Sequence, residues 1–483
     1  MTKKIDEFVE SVYDVTGDSK NFLKTMFLVN ISRNLGKLVV CNEYKQLKPR
    51  TNLFAVLVAP PAEFHKTSLI RQEDEISKEI SNSLNDFDFM KDYFIDLGIL
   101  PPELPEGKSF TFNGSPEGIT ELVKGLEHQH FKGIEFGRTL GLSSKNPDRY
   151  DSQIMILLNE MFYGKLPDHV TLSKLRDGAI DSNNGTDRFL TLFADLHPDE
   201  LTADALKLGL LRRCILVKQH YKDIVVEDTI KAFSAENDKT YQKLRTEYIN
   251  AISDYAANLI SFGTRPNIVI DEKTGESKGE FEPLEVHISP EFIACLKTTI
   301  KQSSERVKEE EVPRYPSENP ELIIRTAFNI MLLDNALNKT KITKESLTLK
   351  SKHFDATMSY LKDITEAYIE EVSSLVNPKF SSKVDAITSY VTKYGIRSIG
   401  EINRNYSWAK KENGRRELKA VLDFAIGSER LTGIGYQNAF NKRIETVFVP
   451  FDRDITEETA KELLFTHNIE TGNVWILSVN MLK

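Results

Sequence analysis

Lys66 and Thr67 are adjacent residues whose side chains could bind a nucleotide. They follow a loop after the apolar run Leu53 to Val58, and a run of that length, bounded by Asn52 and by prolines, is typical of a strand buried on both faces. Between such a strand and a helix, backbone N–H groups and the helix N-terminus can face an anion. A lysine there reaches the terminal phosphates, and the next hydroxyl ligates magnesium. The pattern therefore indicates a site for ATP and Mg²⁺.

The loop lacks the glycines of the usual phosphate-binding pattern. Pro60 and His65 stand at the two glycine positions. Proline removes an N–H donor, and histidine restricts the backbone more than glycine does. Two interpretations stay open. Either His65, Lys66, Thr67 and Ser68 contact the nucleotide, with Thr67 on the magnesium ion, or the segment is a strand-to-helix turn that only contains Lys-Thr.

The residues around the loop predict the elements that must position it. Apolar spacing predicts two helices within residues 3–36 and a helix after the loop that continues to about residue 84. Strands and helices then alternate, which indicates a parallel α/β sheet; the apolar runs are 109–112, 154–158, 189–193 and 210–217. Beyond the sheet we expect a long helix, a strand pair and two further helical stretches: 226–262, 267–287, 290–310 and 320–376.

Four features carry a family resemblance over residues 1–376. They are the two leading helices, the loop Val58-Ala-Pro-Pro-Ala-Glu-Phe-His-Lys-Thr-Ser68, the phrase Gly114-Ser-Pro-Glu-Gly-Ile-Thr-Glu-Leu-Val123 and the run Leu210-Leu-Arg-Arg-Cys-Ile-Leu-Val217. With these features the chain resembles the helicase-like P-loop ATPases of plasmids and viruses, relatives of the mini-chromosome-maintenance and virus primase-helicase proteins. The resemblance implies an AAA+-like α/β core with a parallel sheet and a helical lid. Variants of that family carry a bulky residue before Lys-Ser or Lys-Thr, which His65 resembles.

Hydrolysis of ATP also needs carboxylates at a strand end, one to hold magnesium through water and one to polarise the attacking water. Gly133-Ile-Glu-Phe-Gly137 resembles the acidic pair of the family, with Glu135 as the second carboxylate and Ile134 in place of the first. Glu160 competes, because the apolar run before it is the better strand. The order of the elements favours Glu135 as the catalytic and magnesium-binding carboxylate, with Glu160 in reserve. Either glutamate could instead be an exposed residue at an element end.

The resemblance also implies cationic and polar residues around the phosphates. Arg212 and Arg213 take the position of an arginine finger, and Arg325 that of the lid arginine that senses the γ-phosphate. Asp195 and His197 take the position of a polar sensor. The alternatives are cations at a helix C-terminus, a charge on a helix surface and a helix N-cap, respectively.

The C-terminal residues predict a winged helix-turn-helix. A helix, a turn at Gly395, two more helices and two strands follow one another in that order. Residues 381–450 hold 12 Lys or Arg against 7 Asp or Glu, in a chain of net charge -9, so we expect DNA contacts there. The predicted contact residues are Arg415, Arg416, Lys419, Lys410, Lys411, Lys442 and Arg443. A winged module that binds protein is the alternative.

Composition limits the class of protein. The 483 residues, 40% hydrophobic and 28% charged, are those of a globular chain with about three domains. The three cysteines are too few for a disulfide framework and too far apart for structural zinc, and His128-Gln-His130 is interpreted as a solvated turn rather than a metal pair. The charged start and the absence of a long apolar stretch predict no signal peptide and no membrane contact, hence a cytoplasmic protein.

These observations predict a DNA-dependent ATPase of helicase type that acts in replication of a mobile element. It would use ATP and Mg²⁺ and form a homo-oligomeric ring such as a hexamer. The hairpin tip at Lys273 and Lys278 would touch DNA or be a solvent-exposed ornament. The alternatives are a non-enzymatic DNA-binding or scaffold protein with a decayed ATPase core, and a nucleotide-gated defence or partition protein. The predicted segments are an N-terminal helical segment 1–50, the P-loop core with its hairpin 51–310, the helical lid 311–380 and the winged-helix domain 381–483.

Overall fold

The computed structural model describes most of the chain and divides it into two compact units, Met1–Tyr368 and Ile369–Lys483. The described residues are 2–41, 50–60, 65–85, 107–111, 128–134, 136, 158–159, 161–163, 189–197, 213–219, 228, 231, 234–270, 277–310, 315–376, 378–410, 414–427, 430–452 and 455–477. Within these ranges, no helix combines the length and the apolar character needed to cross a membrane.

The first unit is a mixed α/β structure. Its described elements are, in chain order, α1 (Lys3–Thr16), α2 (Lys20–Asn34), β1 (Val39–Val40), β2 (Phe54–Val58), α3 (Lys66–Asn85), β3 (Gly107–Thr111), β4 (His128–Gly133), β5 (Phe189–Leu196), β6 (Ile215–Lys218), α4 (Ala235–Gly263), β7 (Thr264–Ile270), β8 (Ser277–Phe281), β9 (Leu284–Glu285), β10 (His287–Ile288), α5 (Pro290–Glu310), α6 (Pro320–Leu337), β11 (Thr348–Leu349) and α7 (Ser351–Val376).

A five-stranded parallel sheet forms the centre of this unit. The strand order is β3-β4-β5-β2-β6, and each neighbouring pair is parallel. All five residues of β2 are buried, as expected for a run without polar side chains between two other strands. The predicted parallel α/β sheet is therefore confirmed. Because the strands are parallel, the loops after β2 and β5 leave the sheet at the same edge, where open α/β sheets bind their ligands.

The helices of the first unit share one core with the sheet. The apolar stripe of α1, formed by Ile5, Val9 and Val12, is buried, and a single hydrophobic cluster joins residues of α1 to α7 with residues of β2, β5 and β6. The segments that the sequence analysis separated at residues 50 and 310 thus belong to one core. The hairpin predicted at 267–287 is present as the antiparallel pair of β7 and β8.

Two local expectations are wrong. The His128-Gln-His130 segment lies in β4, and His130 is only 1% exposed. Its Nδ1 lies 2.7 Å from the Thr191 hydroxyl oxygen inside the unit. The run before Glu160 does not end as a strand: residues 158–159 and 161–162 are helical. A short apolar run fits a buried strand and a buried helix equally well, so its pattern cannot decide between them.

A buried charged network ties α3 to α2 and β4. One guanidinium nitrogen of Arg33 donates to Glu73 and to Asp74, at 3.1 Å each. His130 Nε2 lies 3.2 Å from Glu73, and Lys132 Nζ donates to Asp74 at 2.8 Å. Burial opposes the ionisation of Glu73, but Arg33 and His130 outweigh it and lower the pKa of Glu73 to about 2. Glu73 is thus a buried carboxylate that these partners keep ionised.

The second unit is built on a four-stranded sheet of order β12-β14-β13-β15, in which each neighbouring pair is antiparallel. Its described elements are α8 (Pro378–Tyr394), β12 (Arg397–Ser398), α9 (Ile399–Asn405), α10 (Gly414–Gly427), β13 (Leu431–Asn438), β14 (Ile444–Pro450), α11 (Glu457–Thr466) and β15 (Thr471–Ile476). The helices and strands predicted up to residue 449 are present, while α11 and β15 were not predicted.

Local signals explain the helix boundaries of this unit. Gly395 has a φ of 74°, which ends α8, and Ser398 with Glu401 forms a capping box at the start of α9. Helix α8 begins at Pro378. Proline is favoured at the first position of a helix, where its missing N–H has no intrahelical role, so Pro378 starts this helix.

Candidate functional site

The side chain of Lys66 lies at the carboxyl edge of the parallel sheet. Helix α3 begins at this residue, directly after the loop that follows β2. The Lys66 ammonium donates to the carbonyl oxygens of Ala59 and Leu196, at 2.6 and 2.7 Å. Ala59 follows β2 and Leu196 ends β5, so the ammonium sits across the ends of two neighbouring strands. It is therefore held next to the N-terminus of α3 rather than extended into solvent.

Thr67 brings a buried carboxylate to the same place. Its hydroxyl donates to Asp195 Oδ2. Asp195 is 4% exposed and lies in β5, paired in register with Leu57 of β2. The sequence predicts that Asp195 is a polar sensor or a helix N-cap, and it does not indicate a contact between Asp195 and Thr67. The structure thus brings the ammonium and the hydroxyl of the first turn of α3 together with the Asp195 carboxylate of β5.

His65 adopts the backbone conformation for which glycine is usually chosen. Its φ is 48°, in the left-handed region, where a side chain costs about 1–2 kcal/mol and histidine is more frequent than most residues. Its Nδ1 lies 3.3 Å from Oδ1 of Asp18, a buried residue between α1 and α2. His65 thus takes the left-handed conformation that glycine would take, and Asp18 is the partner of its ring.

We expect His65→Gly and His65→Asn to change the free energy of unfolding of the first unit by less than about 1 kcal/mol, because relief of backbone strain offsets the lost contact with Asp18. His65→Val is expected to cost about 2 kcal/mol or more, since a β-branched side chain is a strong outlier at positive φ. Hydrogen exchange in the first turns of α3 would measure the difference. Equal stability of the valine and asparagine variants would contradict the left-handed assignment.

The donor set at this edge suits a phosphate chain with a magnesium ion. A helix N-terminus and a lysine attract phosphate oxygens, and magnesium prefers oxygen ligands, of which a protein commonly gives one or two while phosphates and water give the rest. Thr67 and Asp195 offer such oxygens. In the part of the chain that the structure describes, no group of three or more His, Cys, Asp or Glu side chains is arranged to hold a metal ion.

Arg325 and Arg213 are not brought to Lys66. Arg325, at 3% exposure, donates to the carbonyl and the side-chain oxygen of Asn52, and burial lowers its pKa to about 9. Arg213 donates to the Tyr163 hydroxyl at 3.1 Å. Asn52 precedes β2 and Arg213 precedes β6, so both arginines lie at the amino edge of the sheet. The five residues of β2 separate the two edges by about 16 Å.

The remaining predicted site residues differ in whether the structure describes them. Glu135, Glu160, Arg212, Lys273 and Lys411 lie outside the described residues, as do the side chains of Lys278, Arg415 and Arg416. Ile134, the neighbour of Glu135, is described and packs partly buried against the core of the first unit. His197 follows β5, and Ser68 is exposed in the first turn of α3.

The turn between β13 and β14 presents basic side chains on the second unit. Asn438 holds the turn: its Oδ1 accepts from the Phe440 N–H at 3.0 Å, and its own N–H donates to the Arg443 carbonyl at 2.9 Å. Lys442 and Arg443 are exposed, and Phe440 is 78% exposed. Lys410 and Lys419, predicted for the same purpose, are exposed as well. A fixed turn with two cations and an aromatic ring suits a polyanion.

Known proteins do not identify this site. No protein-family model matches the chain, and no curated protein matches it in sequence.

Proposed function

We propose that the first unit binds ATP with Mg²⁺ through an AAA+-like P-loop core. The chain would be a cytoplasmic DNA-dependent ATPase of helicase type that acts in the replication of a mobile element. One observation carries the proposal. The Lys66 ammonium and the Thr67 hydroxyl lie at the start of α3, against the carboxyl ends of β2 and β5. A cation and a hydroxyl at this edge, beside a helix N-terminus, have the charge and the position that a phosphate chain needs.

The residues of the site would divide nucleotide binding and hydrolysis among them. Lys66 would exchange one strand-end carbonyl for the terminal phosphates, and the N–H groups at His65 and Ser68 would face the phosphate chain. Thr67 would ligate magnesium, which neutralises the charge that develops as the phosphoryl group leaves. Glu135 would orient the attacking water. These roles follow from the charge and position of the side chains and from the family resemblance.

The position of Arg213 supports assembly into a homo-oligomeric ring such as a hexamer. Within one chain, the amino edge of the sheet is too far from Lys66 for Arg213 to reach a bound nucleotide. A second copy could present its amino edge to that nucleotide. An arginine that completes the site from outside stabilises charge on the transferred phosphoryl group.

The second unit supports the DNA half of the proposal. A helix, a short strand, two helices and a hairpin follow one another from α8 to β14, which is the order of a winged helix, with α10 as the recognition helix. Lys442 and Arg443 stand in the wing, where phosphate contacts are made.

Hydrolysis of ATP by the full chain, with and without DNA, tests both halves. We expect turnover that DNA stimulates. In the double variant Lys442→Ala and Arg443→Ala, we expect weaker DNA binding and a plot of log affinity against log salt that is shallower by about 2, about one unit for each lost phosphate contact. Lys461→Ala, an exposed lysine of α11, is the matched control. DNA affinity that does not depend on salt would remove the DNA half.

A non-enzymatic DNA-binding protein with a decayed core is the second candidate. Pro60 lacks an N–H, and the residue before Glu135 is the apolar Ile134. If the chain binds DNA but releases no phosphate above the level of a Lys66→Ala variant, this second candidate is correct. Nucleotide-dependent turnover without strand displacement would instead favour the defence or partition class.

A further inference from the structure

The carboxylate that should hold magnesium is missing from its expected strand. The acidic pair suggested for the end of β4 has Ile134 at its first position, and this residue packs against the core. An isoleucine cannot hold a water molecule on a metal ion. A nucleotide site at Lys66 therefore lacks one carboxylate, unless another strand supplies it.

Asp195 lies in the neighbouring position of the next strand. Gly133 of β4 pairs with Ala194 of β5, so Ile134 and Asp195, the residues that follow, stand side by side at the carboxyl edge. Adjacent strands are about 4.8 Å apart. A carboxylate at Asp195 thus lies one strand closer to β2 and its loop than a carboxylate at position 134 would.

The contacts of Asp195 point to the same role. Its Oδ2 accepts the hydroxyl proton of Thr67, and the Lys66 ammonium bonds the carbonyl of the next residue, Leu196, at 2.7 Å. The carboxylate is thus next to the hydroxyl that would ligate the ion and to the cation that would bind the phosphates. Because Asp195 is almost fully buried, bulk water screens its charge little.

A hydrogen bond between threonine and aspartate is not by itself a sign of metal binding. In the same unit, the Thr2 hydroxyl donates to Asp334 Oδ1 at 2.6 Å, and Thr2 precedes α1 whereas Asp334 is in α6. What distinguishes Asp195 from Asp334 is its place beside Lys66 at the sheet edge. The Thr2 and Asp334 pair therefore provides a control with the same chemistry.

We infer that Asp195 supplies the magnesium-holding carboxylate in place of Ile134. In the nucleotide complex, Thr67 ligates the ion directly and Asp195 holds one of its water ligands. This inference rests on the proposed function. It assigns to the end of β5 a metal-binding role that the family resemblance puts at the end of β4.

Asp195→Asn separates this role from a structural one. Asparagine keeps an oxygen that accepts the Thr67 hydroxyl, so a purely structural contact survives while the charge is lost. The full chain would be titrated with a fluorescent ATP analogue, once with Mg²⁺ and once with EDTA. For the wild type we expect Mg²⁺ to tighten binding by about tenfold or more. For Asp195→Asn we expect the affinity in EDTA to stay within about twofold and the tightening by Mg²⁺ to be lost.

Paramagnetic resonance of Mn²⁺, which takes the place of Mg²⁺, gives a second readout that needs no turnover. With the ATP analogue present, Asp195→Asn should weaken Mn²⁺ binding by about tenfold, and Asp334→Asn should leave it unchanged. The double variant Ile134→Asp with Asp195→Asn should recover part of the Mn²⁺ affinity, because it returns a carboxylate to the neighbouring strand. If Asp195→Asn does not fold, Asp195→Ser, which also keeps an acceptor oxygen, carries the same expectation.

The outcomes distinguish this inference from the proposed function. Full tightening by Mg²⁺ in a folded Asp195→Asn variant would overturn the inference and leave the ATP site intact. A wild-type chain that binds no nucleotide under either condition would remove the proposed function, and the inference with it. Loss of Mg²⁺ dependence in both Asp195→Asn and Asp334→Asn would show a general effect on folding and would count against Asp195 as well.

Discussion

Replacement of Lys66 by alanine is expected to weaken nucleotide binding by about 10- to 100-fold and to abolish ATP hydrolysis. The ammonium is already held at the sheet edge by the carbonyls of Ala59 and Leu196, so little side-chain ordering remains to be done when phosphates arrive. A hydrogen bond to a charged group contributes about 1.5–3 kcal/mol, which sets the size of the expected loss. Titration with a fluorescent ATP analogue and measurement of phosphate release would check it.

Lys78→Ala is a suitable control for this loss. Lys78 is on the same helix, and its side chain is largely exposed in an ion pair with Asp74 at 3.0 Å. Asp74 keeps Arg33 and Lys132 as partners when Lys78 is removed, and Lys78 is three turns away from the loop. If Lys66→Ala and the wild type release phosphate at the same rate in the presence of DNA, Lys66 is not part of an ATPase site.

Glu73→Gln is expected to destabilise the first unit by about 3–5 kcal/mol at neutral pH, the range found when one partner of a buried ion pair is removed. Glu73 is fully buried and accepts from Arg33 at 3.1 Å and from Ser77 at 2.7 Å. The amide would leave part of the Arg33 charge unbalanced inside the unit. Urea unfolding followed by the helical circular dichroism signal would measure the loss. Glu79→Gln, at the exposed ion pair with Arg245, should cost less than about 1 kcal/mol.

The same network predicts a dependence on pH. The pKa of Glu73 is lowered from 4.5 to about 2 in the folded chain. Its contribution to stability is therefore complete above pH 4.5 and is lost as the pH falls through 2. The difference between the wild type and Glu73→Gln should shrink over that window. Both tryptophans, Trp408 and Trp475, belong to the second unit, so their fluorescence should report an unchanged transition. A constant difference between pH 7 and pH 2 would contradict the role of Glu73.

The sequence predicted those features that depend on local pattern. The buried run of β2, the helix after it and the hairpin of β7 and β8 could all be recognised from apolar spacing and turn residues, because each pattern is complete within one short segment. Lys66 and Thr67 were recognised as an adjacent pair between that strand and that helix. The joint between β2 and α3 is therefore the best-predicted part of the candidate site.

Contacts between distant residues could not be predicted in this way. Glu73, Arg33 and His130 come from three elements, and nothing in their own segments indicates that they meet. His130 was assigned to a solvated turn because no Cys or carboxylate cluster at ligand spacing supports a metal pair there. In the structure it is buried, with Glu73 and Thr191 as partners of its ring. The contact of Asp195 with Thr67 was within reach, since parallel strands end at one edge of a sheet, but it required the neighbour of β2 to be known.

The left-handed histidine before Lys66 has a consequence for pattern matching. A sequence pattern that demands glycine immediately before Lys-Thr specifies a residue type, whereas the loop needs a sign of φ. Histidine, asparagine and aspartate also satisfy that sign more readily than other side chains. A query that admits these residues after an apolar run, and asks for a carboxylate at the end of β4 or of β5, would retrieve chains of this kind that a glycine-based query passes over.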